Sequence, residues 1–190
     1  YDYAISKNIN TINFIKGTYY PGGLNGLSAS WGDAFGGFPL LNGMKVYGNG
    51  SVIDNSANNN FIAFTTMASD NAVLDGFSFI GYTAIGAGAV QVDPNVKGWI
   101  INNCSFDHCD WHGDAVSVNL GASGTGTISN CNFYNNISSG GVSALYITGA
   151  SLPNTNDLNI TGSNFSCNLR TTGGGAIQIL NEIGRASCRE

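Results

Sequence analysis

Apolar residues in this chain come in short alternating bursts of three to five positions, and the bursts recur. Four of them align: Leu74-Asp-Gly-Phe-Ser-Phe79, Ile101-Asn-Asn-Cys-Ser-Phe106, Ile128-Ser-Asn-Cys-Asn-Phe133 and Ile160-Thr-Gly-Ser-Asn-Phe165, spaced by 27, 27 and 32 residues. Each is followed by a second alternation, Val90-Gln-Val92, Val116-Ser-Val118, Leu145-Tyr-Ile147 and Ile177-Gln-Ile179, at spacings of 26, 29 and 32. A less regular copy precedes them, Val46 to Ile53 followed by Ile62-Ala-Phe64. Alternation with a period of two predicts strands whose odd positions face a core and whose even positions face water.

A period of 26 to 32 residues admits leucine-rich repeats, helical pairs and parallel β-solenoids. Helical repeats need uninterrupted runs with 3.6-residue periodicity, and here Gly, Asn, Ser and Thr break every apolar stretch. Leucine-rich repeats need several leucines per copy; these copies have one or none. The pattern therefore predicts an all-β fold, a right-handed single-stranded parallel β-helix of about six coils, each of three short strands, stacked about 4.8 Å apart. The expected organisation is an N-terminal strand and capping loop over 1–43, β-helix repeats over 44–181, and a tail over 182–190. That tail, Glu182 to Glu190, resembles a translated sequencing adapter, so the chain reads as a fragment of a longer protein.

Within one copy, Ile128, Cys131 and Phe133 are expected to point inward, with Ser129-Asn130 as a sharp corner. Asn tolerates the left-handed backbone such a corner requires, and Asn103, Gly76 and Gly162 occupy the equivalent place in neighbouring copies. Stacked asparagines at this corner are expected to hydrogen-bond along the array. Phe79, Phe106, Phe133 and Phe165 should form one inward aromatic column.

The stretches Phe133-Tyr-Asn-Asn136 and Phe165-Ser-Cys-Asn168 read F-x-x-N, and Gly174-Gly-Ala-Ile177 reads G-G-A-I. Over residues 44–181 these resemble the repeats of polymorphic outer-membrane proteins and of microbial adhesin-like surface proteins, within the pectin-lyase-like β-helix superfamily. Residues 12–19 similarly resemble the opening strand of such domains, with 20–41 as a long loop or cap. The resemblance implies a cell-surface structural or binding role.

Composition narrows the picture further. The 27 glycines and 25 asparagines among 190 residues favour turns over helix. Charged residues make up 10% of the chain and the formal net charge is −5, which offers no electrostatic footprint for nucleic acid. No apolar run approaches the roughly 18 residues that span a bilayer as a helix.

The polar cluster Asp107-His108-Cys109-Asp110-Trp111-His112-Gly113-Asp114 is the place where chemistry would reside. In pectin-lyase-like enzymes the corresponding loops border the substrate groove, which makes Asp107, Asp110, His112 and Asp114 the candidate catalytic residues. An inverting glycosidase needs carboxylates about 6.5–9.5 Å apart, and the positions that flank Asp114 in adjacent copies are Gly88 and Ser143. Asp114 is therefore read first as a turn-capping residue. His108, Asp110 and His112 carry a metal-ligand spacing that suits a helix better than a loop, and no metal site is assigned. Outward residues of the second alternation, Gln91, Ser117, Tyr146 and Gln178, together with Trp111, are the candidate binding residues for a neutral polar ligand.

Cys104 and Cys131 fall at equivalent inward positions, within disulfide range but with side chains in parallel register that meet the required dihedral poorly. They are read as buried thiols. Cys109 and Cys167 are expected near equivalent corners, two copies apart. Five Asn-x-Ser/Thr sequons, at Asn49, Asn103, Asn136, Asn159 and Asn164, accord with a surface location.

Together these observations lead to the expectation of a non-enzymatic, extracellular or cell-surface, adhesin-like β-helix. Its partners would be glycans or other surface proteins, and it would need no cofactor. The alternative is a polysaccharide lyase or glycoside hydrolase of the same fold, for which calcium would be the implied cofactor.

Overall fold

The computed structural model describes residues 9–20, 38–57, 65–82, 88–109, 115–138, 144–150, 155–170, 176–180 and 185–189. These residues are all-β: strands, turns and bends, with no helix among them. No helix is long and apolar enough to cross a membrane among the described residues. Every strand pair among the described residues is parallel.

The first alternation of each repeat builds one large sheet and the second builds another of six strands. In the large sheet, Val73–Ile80 pairs with both Trp99–Asn102 and Ser105–Asp107, which pair in turn with Thr125–Ser129 and Asn132–Tyr134. Asp157–Thr161 and Asn164–Ser166 extend both halves. The six-stranded sheet runs through Phe38–Leu40, Thr65–Met67, Val90–Val92, Val116–Asn119, Leu145–Thr148 and Ile177–Leu180. A third, two-stranded sheet pairs Ile137–Ser138 with Leu169–Arg170.

Register follows the repeat residue for residue. Leu74 pairs with Ile101, Ile101 with Ile128, and Ile128 with Ile160. Phe79, Phe106, Phe133 and Phe165 are partnered in the same way, and their rings stack at centroid separations of 5.2, 4.7 and 4.6 Å with interplanar angles of 14° or less. Because a one-residue slip would turn every side chain to the other face, this column, with Phe79, Phe106 and Phe133 fully buried, fixes the alignment of the paired strands. Alternation of size also matters. The fully buried Trp99 lies opposite Gly126, and a Cβ on Gly126 would stand 2.0 Å from the indole.

The corner residues have the left-handed backbone expected of them: φ is 76° at Gly76, 51° at Asn103, 52° at Asn130 and 56° at Gly162. The corner asparagines hydrogen-bond along the array as expected, but not to the equivalent corner residue. Asn103 Nδ2 donates to Asp75 Oδ1 at 2.9 Å, and Asn130 Nδ2 donates to Asn102 Oδ1 at 3.1 Å. Each corner amide thus reaches the residue just before the corner in the preceding repeat, because that side chain points outward and ends in an acceptor.

Paired strands also lie on either side of 44–181. Thr11–Asn13 and Thr18–Tyr19 add to the two halves of Lys45–Asp54, Phe38–Leu40 adds to Thr65–Met67, and Arg185–Arg189 adds to Asp157–Thr161. In the earliest full repeat the second strand is Thr65–Met67, whereas the expected Ile62–Phe64 lies outside the described residues.

Candidate functional site

The six-stranded sheet carries a row of outward side chains produced directly by the alternation. In Val90-Gln91-Val92, Val116-Ser117-Val118 and Leu145-Tyr146-Ile147 the flanking residues are buried and the central one is half-buried. Thr66 pairs with Gln91, Gln91 with Ser117, Ser117 with Tyr146, and Tyr146 with Gln178. Parallel pairing holds successive members about 4.8 Å apart, so amide, hydroxyl, phenol and amide form a line without a formal charge. Such a line can hydrogen-bond a neutral polyhydroxylated chain and can offer the Tyr146 ring to a sugar's apolar face. Thr66 belongs to the row by register but is buried.

Asp107 stands on the large sheet, so it belongs to a different face from the Gln91–Gln178 row. The Phe106 side chain points inward and its neighbour Asp107 outward, where the carboxylate has three partners. His108 Nδ1 lies 2.5 Å from Asp107 Oδ1, Asn135 Nδ2 donates to the same oxygen at 3.4 Å, and the Tyr134 hydroxyl donates to Asp107. Partial burial, and secondarily the Asp107 charge, holds the Tyr134 phenol above its ordinary pKa. His108 and Asn135 have φ of 50° and 55°, and Gly81 and Cys167 continue the same left-handed corner in the repeats on either side. In this setting Asp107 ties two strained corner residues together. Asp110, Trp111, His112 and Asp114 lie outside the described residues. No group of three or more His, Cys, Asp or Glu is placed to hold a metal ion among the described residues.

The cysteines divide by position. Cys104 and Cys131 are buried free thiols that donate to Asn102 O and Ser129 O, each at 3.2 Å. Burial, with a contribution from the neighbouring Cys131, pushes the Cys104 thiol well above its usual pKa. Cys109 and Cys167 are not at equivalent corners: Cys109 is buried three residues after Phe106, whereas Cys167 is exposed two residues after Phe165.

The position of Cys109 belongs to a feature whose role sequence reasoning missed. Asn136, three residues after Phe133, is fully buried. Its Nδ2 donates to Phe106 O at 3.2 Å and to Asn168 Oδ1 at 2.8 Å, while its Oδ1 accepts from Cys109 N at 2.8 Å. Asn168, three after Phe165, donates from Nδ2 to Phe133 O at 2.8 Å. The F-x-x-N motif thus encodes an internal amide ladder that satisfies backbone groups where the chain turns into the third sheet. The motif was visible, but a buried asparagine cannot be told from an exposed one by spacing alone.

No protein-family model, curated protein or solved structure matches the chain.

Proposed function

We propose that the chain winds as a right-handed single-stranded parallel β-helix of about six coils and serves as a non-enzymatic, adhesin-like binding element at the cell surface or outside the cell. The fold reading is supported by parallel pairing throughout and by residue-for-residue register between repeats 26 to 32 residues apart. The single observation that carries the functional reading is the in-register, uncharged row of Gln91, Ser117, Tyr146 and Gln178. A repeating line of neutral donors and acceptors suits an extended neutral glycan, whose hydroxyls recur along its length and whose binding gains little from charge. Adhesion to glycans or surface proteins of this kind needs no cofactor.

A glycan array with the full chain, alongside the Tyr146→Ala variant, tests this reading. The expected result is retention of a class of neutral glycans by the parent chain and at least about a tenfold loss in the variant, the scale of one good aromatic contact. Incubation with pectin and polygalacturonate is the opposing arm, with Asp114→Ala as its control. Release of reducing or unsaturated ends that disappears in that variant would replace the binding reading with the enzymatic one.

A further inference from the structure

The five sequons differ sharply in what the folded chain does with each asparagine. Asn136 is fully buried, and both protons of its amide are committed, one to Phe106 O and one to Asn168 Oδ1. Replacing either proton with a sugar would break the internal ladder and drive a glycan into the core. Asn49 and Asn103 sit at left-handed corners, and their amides donate to Phe14 O at 3.0 Å and Asp75 Oδ1 at 2.9 Å. Asn159 and Asn164 are different. Both lie on strands, at exposed outward positions that flank the Gly162 corner, and neither side-chain amide has a hydrogen-bond partner among the described residues. Their register partners on the preceding repeat are Thr127 and Asn132, so both project from the same face of the large sheet.

We propose that Asn159 and Asn164 are acceptor sites for N-linked glycans and that Asn136 is excluded from modification in every folded molecule. The co-substrate class is a lipid-diphosphate-linked oligosaccharide. The amide nitrogen attacks the anomeric carbon, forming the N–C bond as the bond from that carbon to the diphosphate oxygen breaks, and the displaced amide proton leaves with the lipid diphosphate. A glycan pair here would cover the large sheet's outer face and leave the polar row on the other sheet open. The biological relevance of this rests on the extracellular reading above, whereas the chemistry of the two sites does not.

The test is secretion of the full chain from a glycosylating eukaryotic cell, followed by peptide mapping before and after enzymatic removal of N-glycans, which leaves aspartate at each occupied site. Occupied Asn159 and Asn164 and an unmodified Asn136 are expected in the secreted, folded protein. Asn159→Gln and Thr161→Ala should each remove one glycan, as should Asn164→Gln and Ser166→Ala at the other site. The paired variants guard against a fold defect in either one. Bare asparagine at both positions, or a glycan on Asn136 in folded protein, would overturn the proposal. Neither outcome bears on the polar row, which the glycan array tests by itself.

Discussion

Two regions of the stack use the same residue pattern and arrive at different burial. In the central repeats Phe133 and Ile147 are completely enclosed, yet their register partners one repeat later are not: Phe165 is half-buried and Ile179 is 46% exposed. Alternation decides which way a side chain points, and a neighbouring repeat on each side decides whether it becomes dry. Stability should therefore differ between repeats paired on both sides and repeats paired on one side among the described residues.

The aromatic column gives the largest expected contrast. Phe133→Ala removes a ring stacked on both faces, by Phe106 and Phe165, and should cost about 3–5 kcal/mol. Phe165→Ala removes a ring with one stacked neighbour among the described residues, and should cost about half as much. Chemical denaturation of both variants checks this. Equal losses would mean that the last repeat is as well enclosed as the middle ones, and the comparison would fail.

The amide ladder sharpens the same contrast with polar groups. Asn136→Leu keeps the volume but removes the side-chain acceptor of Cys109 N and the side-chain donor to Phe106 O, so a loss of about 3 kcal/mol is expected. Asn168→Leu removes the donor to Phe133 O and the acceptor of two Asn136 bonds, from its backbone N and its Nδ2, but at a half-buried position that water can reach, and should cost less. Hydrogen exchange at the Cys109 amide would report the Asn136 change directly, as faster exchange, whereas Asn168→Leu should leave that amide protected.

Backbone approach gives the next effect. Gly126→Ala places a methyl group against the Trp99 indole in a part of the stack that has repeats on both sides, and about 2 kcal/mol is expected from the overpacking. Gly162→Ala meets only the Asn130 amide oxygen, 2.7 Å from the new Cβ, and adds the strain of a left-handed alanine at φ 56°. An exposed Asn130 amide can swing aside, so the smaller shift in melting temperature belongs to Gly162→Ala.

The strand registers were legible because each depends on a short apolar alternation and a countable period. Leu74, Ile101, Ile128 and Ile160 could be aligned by eye, and the corner asparagines and glycines followed from the need for positive φ. The acceptors of the corner amides could not be read, since they depend on side chains such as Asp75 and Asn102 that merely look polar in sequence. Asn136 and Asn168 were hidden for a related reason: polarity in a sequence suggests exposure, and only the paired backbone shows that an amide inside can be fully bonded. For the candidate site, the row from Gln91 to Gln178 was legible from period two, whereas Thr66 was not, because Ile62-Ala-Phe64 presents a more apolar alternation three residues earlier. Asp107 was singled out as a candidate catalytic residue of a loop, whereas it ends the strand Ser105–Asp107, and its ties to His108, Tyr134 and Asn135 depend on the adjoining repeat.

The smallest expected effect tests the comparison at its weakest point. Ile179 holds an inward position by register, opposite the fully buried Ile147, and yet nearly half of it meets water. If enclosure by two neighbouring repeats is what makes an inward residue count, Ile179→Ser should change stability by less than about 1 kcal/mol. The same substitution at Ile147 should cost several times more, since it both opens a cavity and buries a hydroxyl. Thermal unfolding of the two single variants and the double variant separates the cases. A loss at Ile179 matching that at Ile147 would show that the last repeat is closed over its interior. A near-silent Ile179 would show that an inward position with one paired strand neighbour among the described residues contributes little to stability.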